Sequence, residues 1–554
     1  MRSGVICLKG NRERCPDYPS NRVADSFDKC HCIDAGRRRT GDEAKSVDLP
    51  EQRSILLGLE IKLCTMLDIV VFLTFPAEWK RFFIDNNYFE RNMEMKKTIS
   101  TILAVIIVLS VFITPVLAAG NTTTANTPAN ENEAALFFKT QVRAADSWDG
   151  LSNTAAIGSD VFVAVGNILK KIDALGNETG SLELAGNVSS SPFITVGDGK
   201  VFVFVSDGVN GYLQVIDPQT MEQLAVSTAF EGMESFSPIL YENGRIYAPL
   251  SGYDYASWTV EPGVIACLEY SQEGFATKYI YDAGLSYYWN GPATQGDLLI
   301  TVASEGKIQV LDKDTGVLVS EKDIEEVIKT SVVYSDGNIY FGTGAGHAVK
   351  LSVAGSGIIE ESSLLLLDLG SQVTTTPVIN NSRMYLGTGD FTGGTGFYVV
   401  DVLDMSVIYK TEISGIDSWS GAAIASTGIQ SSPLLSIIDD NDVCIYFTIN
   451  AKPGSLYALL DSPSAAEADV RELFVPEEAD QNSSISPIVA NSEGTIYYTN
   501  DSGILFAIGK TAPAPTPAPE TSDTDIVSYM ILTMISFAVL LIIIKKKQDI
   551  SHEK

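Results

Sequence analysis

The fold of this chain is decided by a unit that reads TPVINNSRMYLG at residues 376–387 and YVVD at residues 398–401. The unit contains Ser/Thr-Pro, an apolar pair, a turn rich in Asn, Gly and Asp, an apolar-aromatic run, and a third apolar run that ends in Asp. It recurs between residues 152 and 510 with a period of roughly 40–55 residues, the range of propeller blades. The copies, six clear and the last two weak, begin at Ser191, Ser237, Gly291, Thr376, Ser432, Ser486, Thr154 and Ser331.

The repeated unit predicts short antiparallel strands, because its β-branched and aromatic runs are bounded by turn-forming residues. One unit cannot bury both of its faces, and radial packing of several units solves that problem. We therefore predict an all-β propeller of eight four-stranded blades, with seven as the alternative because two copies are weak. A strand-like segment, Leu136–Thr140, should complete the last blade and remove its open edge. Only Lys322–Lys329 has a short helical pattern.

The charge distribution argues against nucleic-acid binding. Residues 120–525 hold 17 Lys and Arg against 52 Asp and Glu, a net charge of −35. Such a segment repels phosphate backbones and anionic lipid headgroups. It is typical of a solvated acidic surface, or of one that binds cations or basic partners.

The N-terminal region carries the pattern of a secretory signal peptide at residues 95–119. Two lysines follow Met95, residues 99–116 are almost wholly apolar, and small residues come next. We predict cleavage near Ala119 or Gly120, and a Thr/Asn-rich linker over 120–133. Residues 1–94 would then be a start-site artefact or a disordered N-terminal extension. Alternatively, the apolar stretch at 99–116 is an uncleaved membrane helix with a cytoplasmic N-terminal tail.

The C-terminal region carries the pattern of a membrane anchor. Residues 511–525 are rich in Pro and Thr and predict an extended stalk. Residues 526–544 are uncharged and mostly apolar, which is long enough for one transmembrane helix. The lysines that open the tail at 545–554 predict a cytoplasmic C-terminus and an extracellular propeller. The sequence thus predicts a single-pass protein of the cell membrane.

The turns after the third strands resemble a known repeat family. Asp312-Lys-Asp-Thr-Gly316 and Asp217-Pro-Gln-Thr220, together with Ser-Pro followed by Gly-x-Val/Ile-Tyr, resemble pyrroloquinoline-quinone-like (PQQ-like) propeller repeats over residues 134–510. That family includes quinone-dependent alcohol dehydrogenases and non-enzymatic scaffolds such as the outer-membrane assembly lipoprotein. Membrane-anchored surface proteins of archaea and of bacteria without an outer membrane are also similar.

The chain departs from the enzymatic branch of that family. Cys267 and Cys444 are far apart, whereas that branch has a vicinal pair, and no CxxCH haem motif is present. Gly316 leads into Val317 where a Trp is usual. The resemblance therefore implies that bound PQQ is unlikely, and we predict no cofactor. The expected function is a surface module that binds or scaffolds a protein, a glycan or a small ligand. The alternative is a quinone-type oxidoreductase or a carbohydrate-active enzyme.

Few residues offer catalytic or metal chemistry. His347 is the one histidine of residues 120–525, so a Ser-His-Asp triad could be built only around it. The run Asp439-Asp440-Asn441-Asp442 offers clustered oxygens that could bind Ca²⁺, although a plain acidic turn is favoured. We predict no catalytic residue.

Three tryptophans share a Trp-polar-Gly context ahead of an inner strand, which predicts that they lie on one face of the propeller. Trp is enriched in binding hot spots, although each could instead seal a junction between blades. Two tyrosines flank one of them, and the insertion at 251–260 adds a further Trp. The candidate ligand or partner residues are Trp148, Trp289, Trp419, Tyr287, Tyr288 and Trp258.

Six Asn-x-Ser/Thr sequons would permit N-glycosylation if the propeller is exported. They lie at Asn121, Asn177, Asn187, Asn380, Asn482 and Asn500.

Overall fold

The computed structural model describes residues 120–188, 193–439 and 441–511. In these ranges the regular structure is β-strand, apart from two single 3-10 turns at Glu361–Ser363 and Glu478–Asp480. The strands form eight antiparallel sheets that follow one another along the chain. The prediction of an eight-bladed, all-β propeller is confirmed, and the seven-bladed alternative is wrong.

The first four blades each run from an inner to an outer strand in chain order. The last three strands of blade 3 are much longer than those of the other blades, and blade 2 carries an additional short strand, Phe230–Glu231. Their strands are, for blade 1, Ala155–Ile157, Asp160–Val165, Ile168–Ile172 and Glu178–Glu183; for blade 2, Ile194–Gly197, Lys200–Ser206, Asn210–Ile216 and Gln223–Val226; for blade 3, Leu240–Glu242, Arg245–Asp254, Thr259–Ser271 and Gly274–Leu285; and for blade 4, Ala293–Gln295, Leu298–Val302, Lys307–Asp312 and Leu318–Asp323.

The second four blades repeat this plan, except that the outer strand of blade 8 comes from the N-terminal part of the chain. A small hairpin of Gly415–Ile416 and Ala423–Ile424 separates blades 6 and 7. Their strands are, for blade 5, Val333–Ser335, Asn338–Gly342, His347–Ser352 and Leu365–Asp368; for blade 6, Val378–Asn380, Arg383–Gly387, Phe397–Asp401 and Ser406–Thr411; for blade 7, Leu434–Ile437, Val443–Thr448, Leu456–Asp461 and Asp469–Phe474; and for blade 8, Val489–Ala490, Ile496–Thr499, Ile504–Lys510 and Ala134–Gln141.

Burial explains why these sequences form stacked blades. The second strand of blade 7, Val443–Thr448, is buried on both faces, whereas its outer strand, Asp469–Phe474, is largely accessible. Core side chains therefore meet between blades, as where the rings of Phe397 and Phe447 stack at 4.5 Å and 10°. The first strands of neighbouring blades contact one another, which makes them the inner ring.

The ring is closed by the N-terminal strand. Ala134–Gln141 pairs antiparallel with Ile504–Lys510 and becomes the outer strand of blade 8. Phe138 of this strand is buried, and its ring lies 6.3 Å from that of Tyr497. The predicted closure by Leu136–Thr140 is confirmed, with a strand somewhat longer than expected. Closure removes the open edge that would otherwise pair with other chains.

The transmembrane part of the fold prediction was wrong. Within the described ranges there is no α-helix, and none that could cross a bilayer. The segment predicted to do so, 526–544, lies outside the described residues, as do residues 1–119, 512–525 and the tail. The part of the chain that the structure describes is therefore an all-β propeller. The helical pattern at 322–329 was also misleading, because its first residues belong to an outer strand of blade 4 and the rest form a loop.

The antiparallel order of the strands in each blade gives the propeller two distinct faces. Loops that join an outer strand to the next inner strand emerge on the same side as loops between second and third strands. We call this side the upper face and the other the lower face. The upper face carries the loops that hold all three Trp-polar-Gly motifs.

Candidate binding site on the upper face

A cavity of about 280 Å³ opens at the centre of the upper face. Its wall is built largely from the repeat itself, because the Ser/Thr-Pro positions that precede the inner strands converge on the axis. Most of its polar side chains are hydroxyls and amides. The residues that line it are Arg143, Trp148, Asp149, Gly150, Leu151, Ser152, Asn153, Phe193, Pro238, Trp289, Ser331, Thr374, Thr376, Gln430, Ser432, Ile485, Ser486, Pro487, Thr499, Asn500 and Asp501.

Two of the predicted tryptophans form an exposed pair at the cavity. The rings of Trp148 and Trp419 stack with centroids 5.9 Å apart and an interplanar angle of 16°. Their side chains remain 84% and 79% exposed. Trp148 lines the cavity directly, whereas Trp419, in the loop between blades 6 and 7, stacks on Trp148 and is not itself a lining residue. An exposed aromatic surface of this kind marks an interaction site more often than a packing site.

The loop that carries Trp419 is held in place by its own polar groups. The Oδ1 atom of Asp417 accepts the backbone N–H groups of Trp419 at 3.2 Å and Ser420 at 2.5 Å. Hydrogen bonds from the Ser420 hydroxyl and these N–H groups lower the pKa of Asp417. Ile416 and Lys452 exchange two backbone hydrogen bonds of 3.0 and 2.8 Å, which anchor the hairpin to blade 7. The aromatic pair is thus presented on ordered loops.

Two tryptophans of this face have left-handed backbone conformations. Trp289 has φ of 66° and lines the cavity, and Trp258 has φ of 61° at the tip of the blade 3 hairpin, where it is 76% exposed. The N–H of Trp289 donates to Phe236 O at 3.0 Å. Positive φ is unfavourable for a bulky side chain, and such strain is found most often at functional sites.

An aromatic row joins the cavity to that hairpin. Consecutive ring centroids lie 5.2, 5.7, 5.0 and 4.8 Å apart along Trp289, Tyr288, Phe236, Tyr253 and Tyr255. Because Phe236 is buried, this row packs the insertion against the residues beside the cavity rather than extending the cavity surface. A binding role for Trp258 and Tyr288 stays a prediction.

Tyr287 does not belong to this surface. Its side chain is fully buried and packs with Tyr247, Cys267 and Leu299 between blades 3 and 4. Its backbone N–H donates to the Ser251 hydroxyl at 2.7 Å. Its assignment as a contact residue is corrected here, because a fully buried ring cannot meet a ligand.

The charged side chains that line the cavity lie where blade 8 meets blade 1. The guanidinium of Arg143 donates to the backbone oxygens of Asp149 at 3.1 Å and Asp501 at 2.6 Å. Asp501 is an exposed residue that lines the cavity, and the protein packed around its carboxyl replaces part of the bulk water and raises its pKa to about 6. The positive charge of Arg143 opposes this effect.

We expect Asp501→Asn to stabilise the protein above pH 6 and to have little effect near pH 3.5. The pKa of Asp501 is higher in the folded state than its ordinary value of 3.8, so its ionisation opposes folding. That penalty is absent below about pH 4, grows toward pH 6 and is complete above it. Thermal denaturation at pH 3.5, 5 and 7.5 measures the difference. A pH-independent difference would contradict this assignment.

The predicted calcium ligands lie on the lower face, away from the cavity, between the first two strands of blade 7. The Oδ1 atom of Asp439 accepts the N–H groups of Asn441 at 2.8 Å and Asp442 at 2.9 Å, which lowers its pKa. Asp440 lies outside the described residues. Among the described residues no three acidic, His or Cys side chains form a metal cluster. Calcium binding by these residues stays a prediction.

His347 and the two cysteines are placed away from the cavity. The Nδ1 atom of His347 lies 2.9 Å from Glu326 Oε2, and the same oxygen accepts the Thr343 hydroxyl at 2.6 Å. Cys267 and Cys444 are buried thiols without a disulfide. None of these three side chains lines the cavity.

The sequons differ in the accessibility of their amides. Asn177 and Asn187 are exposed, whereas Asn380 and Asn500 are buried. Both N–H bonds of the Asn121 amide are directed at backbone oxygens, those of Pro433 at 3.2 Å and Ile488 at 2.7 Å. A glycan on such an amide is incompatible with these contacts. Asn482 is partly accessible and donates to the Ser502 hydroxyl.

If the protein is glycosylated, we expect glycans at Asn177 and Asn187, and none at Asn121, Asn380 or Asn500. Glycopeptide mass spectrometry of protein from a glycosylating host measures the occupancy of each site. Substantial occupancy at Asn500 would contradict its buried placement.

Sequence reasoning missed most of the cavity. Ser331, Thr376, Ser432 and Ser486 were used as markers of the repeat, yet their convergence on the axis gives the cavity its hydroxyls. Asp501 carried no distinguishing signal among the acidic residues. A rule that the Ser/Thr-Pro positions face the propeller axis would have found three of these five, because Ser331 is followed by Val332.

Comparison with known proteins gives structural neighbours only. No protein-family model matches the chain, and no curated protein matches it. Similar solved structures include BamB from Moraxella catarrhalis, with a TM-score of 0.48 and 12% identity over 68% of this chain and 99% of that one. Quinohemoprotein alcohol dehydrogenase from Comamonas testosteroni has a TM-score of 0.47 and 11% identity over 71% of this chain and 80% of that one.

Proposed function

We propose that this protein is a binding module that takes its ligand into the central cavity of the upper face. The observation that carries the proposal is the stacked, exposed pair of Trp148 and Trp419 beside a cavity lined with hydroxyls and amides. Large aromatic surfaces supply binding energy, and a few convergent polar groups fix orientation. The rigid blades support loops that carry the contacts.

A neutral, polyhydroxylated ligand fits this site best, and we propose a glycan. Hydroxyls and amides such as Ser432, Thr376 and Gln430 both donate and accept hydrogen bonds, as sugar hydroxyls do. The faces of Trp rings are negative and attract the weakly positive C–H faces of sugar rings. The acidic surface of residues 120–525 disfavours an anionic ligand.

A carbohydrate-active enzyme is the second candidate, and Asp501 is the observation that favours it. A carboxyl with its pKa near 6 can serve as a general acid. Glycoside hydrolysis usually needs a second carboxylate across the scissile bond. Asp149 is the other acid of the described lining, and its Oδ2 atom accepts the Ser147 hydroxyl at 2.6 Å. Binding without hydrolysis is the favoured function, because it rests on the exposed aromatic pair as well as on the polar lining, whereas hydrolysis rests on the carboxyl groups alone.

The proposed place of action is outside the cytoplasm. This proposal rests on the signal-peptide pattern of residues 95–119 and on the acidic, lysine-poor composition of the propeller. Sequencing the N-terminus of protein from an exporting host tests it. A protein that retains residues 1–94 would contradict it.

A glycan array probed with the full chain tests the binding proposal. We expect binding to neutral glycans, and a loss of about 30-fold or more in the double variant Trp148→Ala/Trp419→Ala, since a hot-spot Trp contributes about 2 kcal/mol or more. Phe137→Ala is the matched control, because Phe137 is an exposed aromatic on the outer strand of blade 8. Binding that survives the double variant would contradict the site. Release of shortened glycan would favour the enzyme.

A further inference from the structure

The hydroxyl groups that line the cavity differ in whether they already donate a hydrogen bond. Some of them, such as that of Ser152, donate to backbone oxygens. Three others accept hydrogen bonds but donate none to the residues that the structure describes, namely Thr374, Thr376 and Ser432. These three lie together, on the segments that lead into the first strands of blades 6 and 7.

The bonds that these hydroxyls accept join consecutive blades. The backbone N–H of Thr376 donates to the Ser432 hydroxyl at 3.2 Å, and the Nε2 atom of Gln430 donates to the Thr374 hydroxyl at 3.2 Å. The backbone N–H of Ser331 donates to the Thr376 hydroxyl at 3.3 Å. The oxygen atoms are therefore held in place by the ring of blades before any ligand arrives.

The O–H groups of these residues are the part of the wall that a ligand has to match. A hydroxyl has one O–H donor and two lone pairs, and here a protein N–H already occupies a lone pair. Thr374 is 7% exposed, and Thr376 and Ser432 are partly buried. A ligand that displaces water from such donors without offering an acceptor leaves them unpaired, which is unfavourable. This side of the cavity therefore selects a ligand group that accepts hydrogen bonds.

The charges of the lining favour a neutral acceptor. Among the described lining residues Arg143 is the one cation, and it stands against the carboxyl groups of Asp149 and Asp501. The Nη atoms of Arg143 already donate to backbone oxygens. A ligand carboxylate would thus meet more negative than positive charge. A carbonyl oxygen has two lone pairs and no hydrogen, so it can accept from two neighbouring hydroxyls, whereas a sugar hydroxyl would bring a further donor.

We propose that the glycan taken into the cavity carries N-acetyl groups, and that the hydroxyls of Thr376 and Ser432 donate to the carbonyl oxygen of one acetamido group. This inference rests on the proposed function and names the class of its ligand. The methyl end of an acetamido group needs an apolar surface, and the same cavity supplies Pro238, Ile485 and Pro487. A few convergent polar groups on an otherwise apolar wall are typical of specific small-ligand sites.

The experiment compares glycans that differ only in the group at C2 of each sugar. Fully N-acetylated chitotetraose and cellotetraose are both neutral and share length and β-1,4 linkage, but the first carries acetamido groups where the second carries hydroxyls. A β-1,4-linked tetramer of glucuronic acid tests the carboxylate alternative. Binding of each probe to the full chain is measured by titration calorimetry, and the array extends the comparison to every other backbone that binds.

We expect the acetamido member of each pair to bind about ten-fold or more tightly, because its carbonyl oxygen gains two hydrogen bonds. Thr376→Val and Ser432→Ala should each reduce this preference to about three-fold, and the double variant should abolish it. Thr376→Ser keeps the O–H donor and should keep the preference. Thr315→Val is the matched control, because the Thr315 hydroxyl lies in a lower-face turn of blade 4 and donates to Asp312 Oδ1 at 2.7 Å.

The outcomes separate this proposal from the proposed function. Equal binding of the two members of each pair, or tighter binding of the glucuronic acid tetramer, would overturn the proposal and leave glycan binding in place. A preference that persists in the double variant would also overturn it. If Thr376→Val does not fold, Ser432→Ala and Thr376→Ser decide the matter. If no neutral glycan of either kind binds, the proposed function fails and this inference fails with it.

Discussion

Replacement of Arg383 by Met is expected to lower the free energy of unfolding by about 3–5 kcal/mol, because it leaves a buried carboxylate without its cation. The Nη1 atom of Arg383 donates to Asp461 Oδ1 at 2.7 Å. Its Nη2 atom donates to the backbone oxygens of Pro463 and Ala465, each at 2.9 Å. Arg383 is 7% exposed and Asp461 is 4% exposed, so little water could replace these contacts.

Two tyrosines of blade 6 complete this network. The hydroxyl of Tyr385 donates to Asp461 Oδ2 at 2.7 Å, and that of Tyr409 donates to Asp461 Oδ1 at 2.5 Å. Burial, together with the adjacent Asp461, raises the pKa of both hydroxyls, which therefore stay protonated and donate. Because Asp461 ends a strand of blade 7, the network fastens two neighbouring blades.

Urea denaturation measures this prediction, and two further variants control it. Arg383→Met/Asp461→Asn should recover part of the loss, because the unpaired charge is gone. Lys278→Met breaks an exposed pair with Glu269 and should cost less than about 1 kcal/mol. A loss of under about 1 kcal/mol for Arg383→Met would show that the buried pair is not needed.

The blade count could be read from the sequence because each blade repeats the same local signals. Gly244-Arg245-Ile246-Tyr247 and Asn338-Ile339-Tyr340 place a turn directly before a second strand, and the structure has strands at Arg245 and Asn338. Even the weak copies at Thr154 and Ser331 lead into blades. Closure by the N-terminal strand Ala134–Gln141 could be predicted because the final repeat copy ends after its third strand and lacks a fourth.

The short strand Thr122–Thr123, which pairs in parallel with the first strand of blade 7, could not be predicted, because its signal is only two residues long. Thr122 and Thr123 lie in a Thr/Asn-rich stretch that has the composition of a linker. Their pairing depends on the open inner edge of blade 7, which comes from a distant part of the sequence. Tertiary context overrides local propensity in such a case.

The candidate site was predicted in part. The context of Trp148, Trp289 and Trp419 placed them correctly on one face, because all three precede an inner strand. The stacking of Trp148 on Trp419 depends on two loops from distant parts of the chain. Tyr287 is fully buried whereas its neighbour Tyr288 is partly accessible, and their shared sequence context did not distinguish them.

Tyr287→Ala and Trp148→Ala are expected to have opposite effects on stability and binding. Tyr287 is fully buried, and its truncation should cost about 3–5 kcal/mol of folding free energy because a cavity remains between blades 3 and 4. Trp148 is 84% exposed, so its truncation should cost at most about 1.5 kcal/mol, chiefly the stacking with Trp419. Binding of an array-identified glycan should weaken about 30-fold for Trp148→Ala.

Melting curves and titrations on the same two variants measure both quantities, with binding corrected for the folded fraction. Tyr287→Ala should bind normally where it is folded, because its ring does not reach the cavity. Tyr287→Phe is its conservative control and should be nearly neutral, since the Tyr287 hydroxyl is buried without a hydrogen-bond partner. A large loss of stability with unchanged glycan binding for Trp148→Ala would make Trp148 a packing residue. The site would then have to rest on Trp289 and the hydroxyls of the inner strands alone.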